Sequence, residues 1–356
     1  TVQAESFYLH GIWNRRLDAD QEVRLSVSFD EESMQDRAAY TLLPGVMLDY
    51  GGRGRRWSAE AQHTASLAPS LRAVWGGMAK REEAESIPLY NAPRVAFERY
   101  QLFGNLEWRP HTHWVVNAGG LWEKHSVTGW EFAPRLAANY QLAPRHTLRA
   151  GATRAFRSPS LFELKSDVRY FIGATQVGRT SVARGGARAE SVEARELGYL
   201  GELPHWRVTL DVRAFEERLN GIIRPSDYEL LPALLATGTA AKDYANNPGH
   251  RIRGIEYQVR WKPFAATDIW LNQAFLRTLD TFRIQDDLSV PRHITTLALF
   301  QRFASGLDFT AMLHAIDSMS HRHPVKDLID NGVRLDLRLA YPFRIGNTRA
   351  EAAMTV

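Results

Sequence analysis

Apolar and polar residues alternate along most of this chain with a period of two. In residues 331 to 341, Val333, Leu335, Leu337, Leu339 and Tyr341 fall on one side, and Arg334, Asp336 and Arg338 on the other. Residues 250 to 262 set Ile255, Tyr257, Val259 and Trp261 against Glu256, Gln258, Arg260 and Lys262. Residues 130 to 142 oppose Trp130, Phe132, Leu136, Ala138, Tyr140 and Leu142 to Glu131, Arg135, Asn139 and Gln141, and Val23, Leu25, Val27 and Phe29 alternate with Arg24, Ser26, Ser28 and Asp30. A strand puts successive side chains on opposite faces, so each segment predicts a strand with one apolar face. The segments run 10 to 13 residues, longer than most soluble strands and close to what a tilted strand needs to cross a bilayer.

The connections alternate too. Short turns are expected at 17 to 20, 67 to 70, 110 to 112, 142 to 146, 203 to 205, 263 to 267, 304 to 306 and 342 to 347. Longer polar stretches lie between them, at about 30 to 54, 85 to 94, 157 to 189, 219 to 249, 281 to 291 and 318 to 330. Short turns on one side and long loops on the other are the asymmetry of outer-membrane barrels. Eight hairpins predict sixteen strands, giving an all-β fold: an antiparallel, up-and-down transmembrane β-barrel wall. Slipping residues 331 to 341 by one position would turn Arg334 and Arg338 toward lipid, at about 2–4 kcal/mol each near the midplane. A soluble sandwich or propeller also reads apolar-in and polar-out. Sixteen long strands in simple succession, with neither Greek-key spacing nor a blade repeat, argue against both.

Aromatic residues gather beside the short turns, as Trp108, Trp114, Tyr140, Trp206, Trp261, Trp270, Phe303, Phe309 and Tyr341. They predict an interfacial girdle, although aromatics favour strands of any kind. Composition narrows the choice further. Hydrophobic residues make up 44%, aromatics 11% and charges 24% of the 356 residues, which is not the signature of a disordered chain. With no Cys there can be no thiol nucleophile, disulfide or cysteine metal site. No apolar run approaches the roughly 18 residues of a spanning helix, so a membrane role falls to strands. The net charge of +4 comes from interspersed signs, which does not suggest a nucleic-acid partner. The start at Thr1-Val2-Gln3 has no signal-peptide features, and the chain is read as a piece of something longer.

Chemical motifs are nearly absent: there is no phosphate loop, GxGxxG, HExxH or GxSxG. His321 and His323 sit two residues apart in a polar stretch and read as a solvated pair in preference to metal ligands. Asp317, Ser318 and His321 can be drawn as a hydrolytic trio, but nearness in a loop is no evidence of triad geometry. No catalytic residue, metal or cofactor is expected.

Three segments carry a resemblance. The first, from Ala133 to Leu164, has two strands about a short turn, followed by Arg154, Phe156, Arg157, Pro159, Leu161, Phe162, Glu163 and Leu164. The second, residues 189 to 203, holds Glu190, Glu196, Leu197, Gly198 and Tyr199, and the third, 246 to 261, holds Asn246, Gly254 and Glu256. Their order and spacing resemble the barrel region of TonB-dependent outer-membrane receptors, with Ala189 standing where that family commonly has Pro. The resemblance implies a barrel of about 22 strands around a plugged lumen. This chain would supply about the sixth to the twenty-first, the plug, TonB box, first strands and last strand lying elsewhere. It also implies a Gram-negative outer membrane, uptake of a scarce nutrient complex powered by the TonB complex through the plug, and contact with outer-membrane lipid and lipopolysaccharide.

The ligand is read from the loops. Residues 157 to 189 carry Arg157, Lys165, Arg169, Arg179, Arg184 and Arg188 against Glu163 and Asp167, a surplus of four positive charges. Arginine forks suit carboxylates, catecholates and anionic hydroxamate complexes. Arg53, Arg55 and Arg56 form a second basic cluster, and Tyr90, Tyr170, Phe171 and Tyr228 could add aromatic contacts. Together these favour a ferric siderophore, over lipopolysaccharide phosphates or plain solvation as the destination of the arginines. The luminal charges Glu196, Glu256 and Arg260 are expected to neutralise one another. A same-family receptor for cobalamin, haem or a glycan would differ only in loop chemistry. A passive porin would need no plug, and a barrel enzyme would need clustered catalytic groups.

Overall fold

The computed structural model describes residues 2–39, 47–172, 174–228, 241–281, 289–320 and 328–356. Sixteen long strands form the wall. These are β1 (Val2–Arg16), β2 (Gln21–Ala39), β3 (Gly52–Ala68), β4 (Leu71–Glu85), β5 (Val95–Trp108), β6 (Trp114–His125), β7 (Gly129–Ala143), β8 (His146–Arg157), β9 (Glu190–Leu203), β10 (Val208–Asn220), β11 (Arg251–Trp261), β12 (Thr267–Leu279), β13 (His293–Arg302), β14 (Asp308–Ile316), β15 (Gly332–Ile345) and β16 (Thr348–Thr355). Each pairs antiparallel with the next. Among the described residues β1 and β16 do not pair with each other, so the wall is an open arc. Seven of the eight short turns fall between paired strands where expected; the eighth, expected at 342 to 347, is confined to Gly346 and Asn347, because Pro342 to Ile345 pair with residues 348 to 351.

The two faces differ as the period requires. One row of directly opposed residues runs Ala150, Leu197, Ala214, Ile255 and Phe275 across β8 to β12. Leu197 and Ile255 in it stay largely exposed, as a lipid-facing surface does. The neighbouring row on the other face runs Gly151, Glu196, Phe215, Gly254 and Leu276, with Arg213, Glu256 and Ala274 one step along and Gln258 and Asn272 two steps along. That polar face is the luminal one.

Aromatics edge the apolar band at both ends. Beside the short turns Trp108, Trp114, Tyr140, Trp261 and Tyr341 point outward and stay exposed, or half-exposed for Tyr140. Trp270 does not belong with them. It shares the luminal face with Asp268 and Asn272, donates its indole N–H to Asp268 at 2.8 Å and lies 4.8 Å beneath the Arg260 guanidinium. A second girdle, at the long-loop end, comprises Phe29 against Trp57 and Trp122 stacked on Phe132 at 4.4 Å. From Phe132 to Tyr140 is eight residues, roughly 27 Å along the strand. With a barrel tilt of about 35–45° that is about 20 Å of membrane thickness, near the height of an outer-membrane apolar band.

Strand length departs from expectation. β2 has 19 residues and β3 has 17, well beyond the 9–11 that cross a bilayer. The ladder continues past the girdle, where charged pairs such as Arg55 with Glu31 at 2.7 Å replace apolar ones. The long loops are structured as well. Asp167–Ile172, Thr175–Val182, Ala241–Asn247 and Ile222–Tyr228 make a separate four-stranded sheet, whose two hairpins are joined by one parallel pairing of Ser181 with Lys242. Two short helices, α1 (Ile87–Tyr90) and α2 (Leu161–Lys165), complete this cap.

Candidate functional site

The cap is fastened to the wall by a small apolar cluster: Phe97 of β5, Leu164 of α2, Ala187 before β9 and Ile223 of the loop sheet, with Leu161 and Tyr244 packed against it. Leu164 is 1% exposed. Sequence dictates how α2 presents it. Ser160 caps the helix by accepting from the Glu163 N–H, and Glu163 accepts in return from the Ser160 N–H at 2.8 Å, a capping box. Arg157 then ties the helix to the wall. Its guanidinium donates to both Glu163 oxygens at 2.9 and 3.0 Å and to Glu190 at 2.6 Å, and Glu190 also accepts from the Ile223 N–H. Beneath them the buried carboxylate of Glu123 accepts from Ser158 at 2.6 Å and from Gln101.

The other family-motif residues find physical reasons here. Arg154 reaches the Glu131 carboxylate at 2.9 Å and the Phe132 carbonyl, Phe156 is half-buried beside it, and Pro159 is fully buried where the chain turns into α2. Gly198 is bare because a Cβ there would strike the Arg149 side chain, and at Gly254 a Cβ would come within 2.7 Å of the Phe215 ring. Tyr199 hydrogen-bonds His146 at 2.6 Å, and Leu197 faces lipid. In the lumen Arg213 bridges Glu196 at 3.3 Å and Glu256 at 2.7 Å, while Arg260 forks onto Asp268. Arg213, Glu196 and Glu256 border a cleft of about 470 Å³ that also takes in Arg149 and Asp211.

The loop cations are not an open cluster. Asp167 collects Arg169 at 2.7 Å and Arg179 at 2.7 Å, and Arg184 reaches Asp243 at 2.9 Å. Arg188 donates to the Gly185 and Ala187 carbonyls. Glu190 and Asp243 lie outside residues 157 to 189, so six cations against four acids leave a surplus of two where the segment alone has four. Arg53, Arg55 and Arg56 lie on β3 instead of in a loop. Alternation sends Arg53 and Arg55 to one face, toward Glu31, and Arg56 to the other, toward Glu82.

The structure does bring Arg53 and Tyr90 together. With Tyr50 and Glu32 they line a cavity of about 430 Å³ at the loop end of the wall. Tyr90 is buried edge-on against Phe162, and Tyr50 shares a 3.1 Å hydroxyl contact with Tyr170. Tyr50 carried no mark in the sequence, and its neighbour is 120 residues away. Phe171 is half exposed, and Tyr228 ends a loop strand opposite Ala241. His321 and His323 lie outside the described residues; of the drawn trio, Asp317 and Ser318 are described, their backbone N–H groups donating to the His293 carbonyl and the Asn331 side chain, and His321 is not.

Two carboxylates in the cap have displaced ionisation. Burial pushes Glu163 up, but the Arg157 fork and the Ser160 N–H outweigh it and hold the acid below its ordinary value of 4.5. Asp167 is likewise raised by burial and held lower overall by Arg169 and Arg179. A depressed folded value means stability present above the unfolded value and lost as pH falls through the folded one. Amide protection across the described residues of 158 to 182, corrected for the intrinsic pH dependence of exchange, is therefore expected to stay flat from pH 8 to about 5 and to fall below about 4.5. Glu163→Gln should remove much of that pH dependence; an unchanged profile would show the pair carries none of the attachment.

A family model described as "TonB dependent receptor-like, beta-barrel" matches residues 3–347. The chain belongs to the TonB-dependent receptor family. Over 128 residues, 33% of this chain and 17% of the relative, it is 32% identical to a ferric enterobactin receptor of Pseudomonas aeruginosa. A crystal structure of the P. aeruginosa ferric enterobactin receptor superposes with a TM-score of 0.75 at 15% identity, covering 99% of this chain and 56% of that one. The siderophore receptor PirA from Acinetobacter baumannii superposes with a TM-score of 0.72 at 13% identity, over 96% and 56%. The likenesses at these identities are likenesses of fold. This receptor chain spans little more than half the length of those structures. Its family is one of outer-membrane transport receptors, and its fold is their barrel wall.

Proposed function

We propose that this chain is the greater part of the wall of an outer-membrane receptor that takes up a ferric siderophore, driven by the TonB complex through a plug elsewhere in the parent protein. The reading is carried by the local sequence likeness to a ferric enterobactin receptor, and the arginine-bearing cap at the loop end supports it. A structured cap fixed by one apolar cluster can hold an anionic complex over the lumen, and no covalent chemistry is asked of it. Further strands of the parent would cover the ladders of β1 and β16, since open edges are not tolerated in lipid.

The test is labelled ferric-siderophore uptake in an iron-limited strain lacking the full-length gene, with and without complementation. Uptake should vanish on deletion and return with the gene. Complementing with Arg169→Gln and Arg179→Gln together should raise the half-saturating concentration roughly tenfold, the scale of losing one or two charge-assisted contacts. Uptake that ignores the deletion would remove the siderophore from the reading.

A further inference from the structure

Beyond the girdle residues Phe29 and Trp57, the opposite, luminal face of β1 to β4 is floored by small residues. Ala4 and Ser6 of β1, Gly52 and Gly54 of β3 and Ala84 of β4 form the base of the cavity of about 430 Å³ that Tyr50 and Tyr90 also line. A Cβ on Gly54 would meet nothing within 4 Å, so the space above it is open. Alternation brings Glu32 of β2 to this face, opposite Ser6 and Gly54. Glu32 is exposed, and among the described residues it has neither an ion pair nor a hydrogen bond.

Charge is one-sided here. Asp30 and Asp36 share the luminal face of β2 with Glu32, and among the residues the ladder sets directly opposite these three acids the one cation is Arg56, against Asp30, which is shared with Glu82 at 3.7 Å. Arg53 borders the cavity, but alternation carries its guanidinium to the outer face, 3.8 Å from Glu31. Acids on one strand face without counter-ions repel one another, and a cation placed among them is attracted by all. Two phenols complete the lining. Tyr90 is nine-tenths buried, and its hydroxyl has no hydrogen-bond partner among the described residues. The Tyr50 hydroxyl meets that of Tyr170, the chain neighbour of Arg169, at 3.1 Å, so the cavity lies beside the cationic cap. A carboxylate with phenol oxygens and ring faces around it suits a primary ammonium, which has three N–H donors and no acceptor. A cavity at the small end of the range for ligand pockets takes one arm of a larger ligand.

We propose that this cavity binds a protonated primary amine on an arm of the iron complex, the ammonium seated on Glu32 and donating also to the Tyr90 hydroxyl, while the anionic body of the complex lies toward the cap. The inference rests on the siderophore reading above and narrows it to amine-bearing complexes.

The experiment titrates the full-length receptor in detergent micelles with two ferric tris-catecholate complexes, identical except that one carries a pendant aminopropyl arm and the other the same arm N-acetylated. The amine complex is expected to bind roughly tenfold tighter, the scale of one charge-assisted contact. Glu32→Gln should bring the ratio of the two affinities to about one, whereas Glu31→Gln, whose side chain faces outward, should keep it. Tyr90→Phe should shrink the ratio by roughly two- to threefold through the lost hydroxyl. Heat-modified gel migration checks that each variant is folded. Equal binding of the two complexes by the unaltered receptor, or a ratio that survives Glu32→Gln, would overturn the site while both complexes still bind and the siderophore reading stands. Binding of neither complex would instead overturn that reading, and this site with it.

Discussion

Leu136→Arg is expected to destabilise the folded receptor in lipid by about 2–4 kcal/mol, while Ala137→Arg, one residue away, should cost about 1 kcal/mol or less, in the range of exposed substitutions. Leu136 lies midway between Phe132 and Tyr140 on β7, is 55% exposed and is flanked across the ladder by Ala118 and Ala152. It is therefore at the level where a guanidinium finds only hydrocarbon. Ala137 opposes Asn117 and Gly151 on the luminal side, where water and the Glu196 carboxylate can receive the charge. Urea unfolding of the full-length protein in phosphatidylcholine vesicles measures both. Equal losses would mean that the assigned faces are wrong.

A second large effect is expected from Leu164→Ala. The side chain is enclosed by Phe97, Ala187 and Ile223, and removing it should cost about 2–5 kcal/mol through lost transfer energy and the cavity left behind. The loss should not spread evenly. α2 and the loop sheet touch the wall mainly through this cluster and the Arg157 clamp, whereas the wall is a continuous ladder that does not need them. Such a unit opens on its own. Hydrogen exchange should thus quicken in residues 160 to 188 and 222 to 228 by a factor of about 30 or more, with β5 to β12 unchanged within the ladder. Protection lost over the whole wall would instead make Leu164 part of the global fold.

What could be read in advance follows the range of the interaction. Hairpins were legible because alternation and turn chemistry act over neighbouring residues, and each wall strand pairs with the next one in sequence. Nearness to a turn puts Trp270 with the girdle, whereas its parity with Asp268 and Asn272 assigns it to the lumen. Arg53, Arg55 and Arg56 read as one cluster for the same reason, and parity divides them. The loop sheet was not legible, since it depends on Ser181 meeting Lys242 and on Arg184 meeting Asp243, 59 residues on. No local pattern announces such a pairing. Glycines at 198 and 254 were visible only as a family likeness until Arg149 and Phe215 supplied the bulk they make room for.

The parallel pairing of Ser181 with Lys242, the one that joins the two hairpins among the described residues, changes what a loop means in this protein. Two excursions that leave the wall from different hairpins are tied to each other by the Ser181–Lys242 bridge and the Arg184–Asp243 pair, and they join the wall at four chain crossings near Arg157, Glu190, Asn220 and Arg251. Substitutions in 241 to 247 should accordingly alter amide protection in residues 167 to 172, which they do not touch.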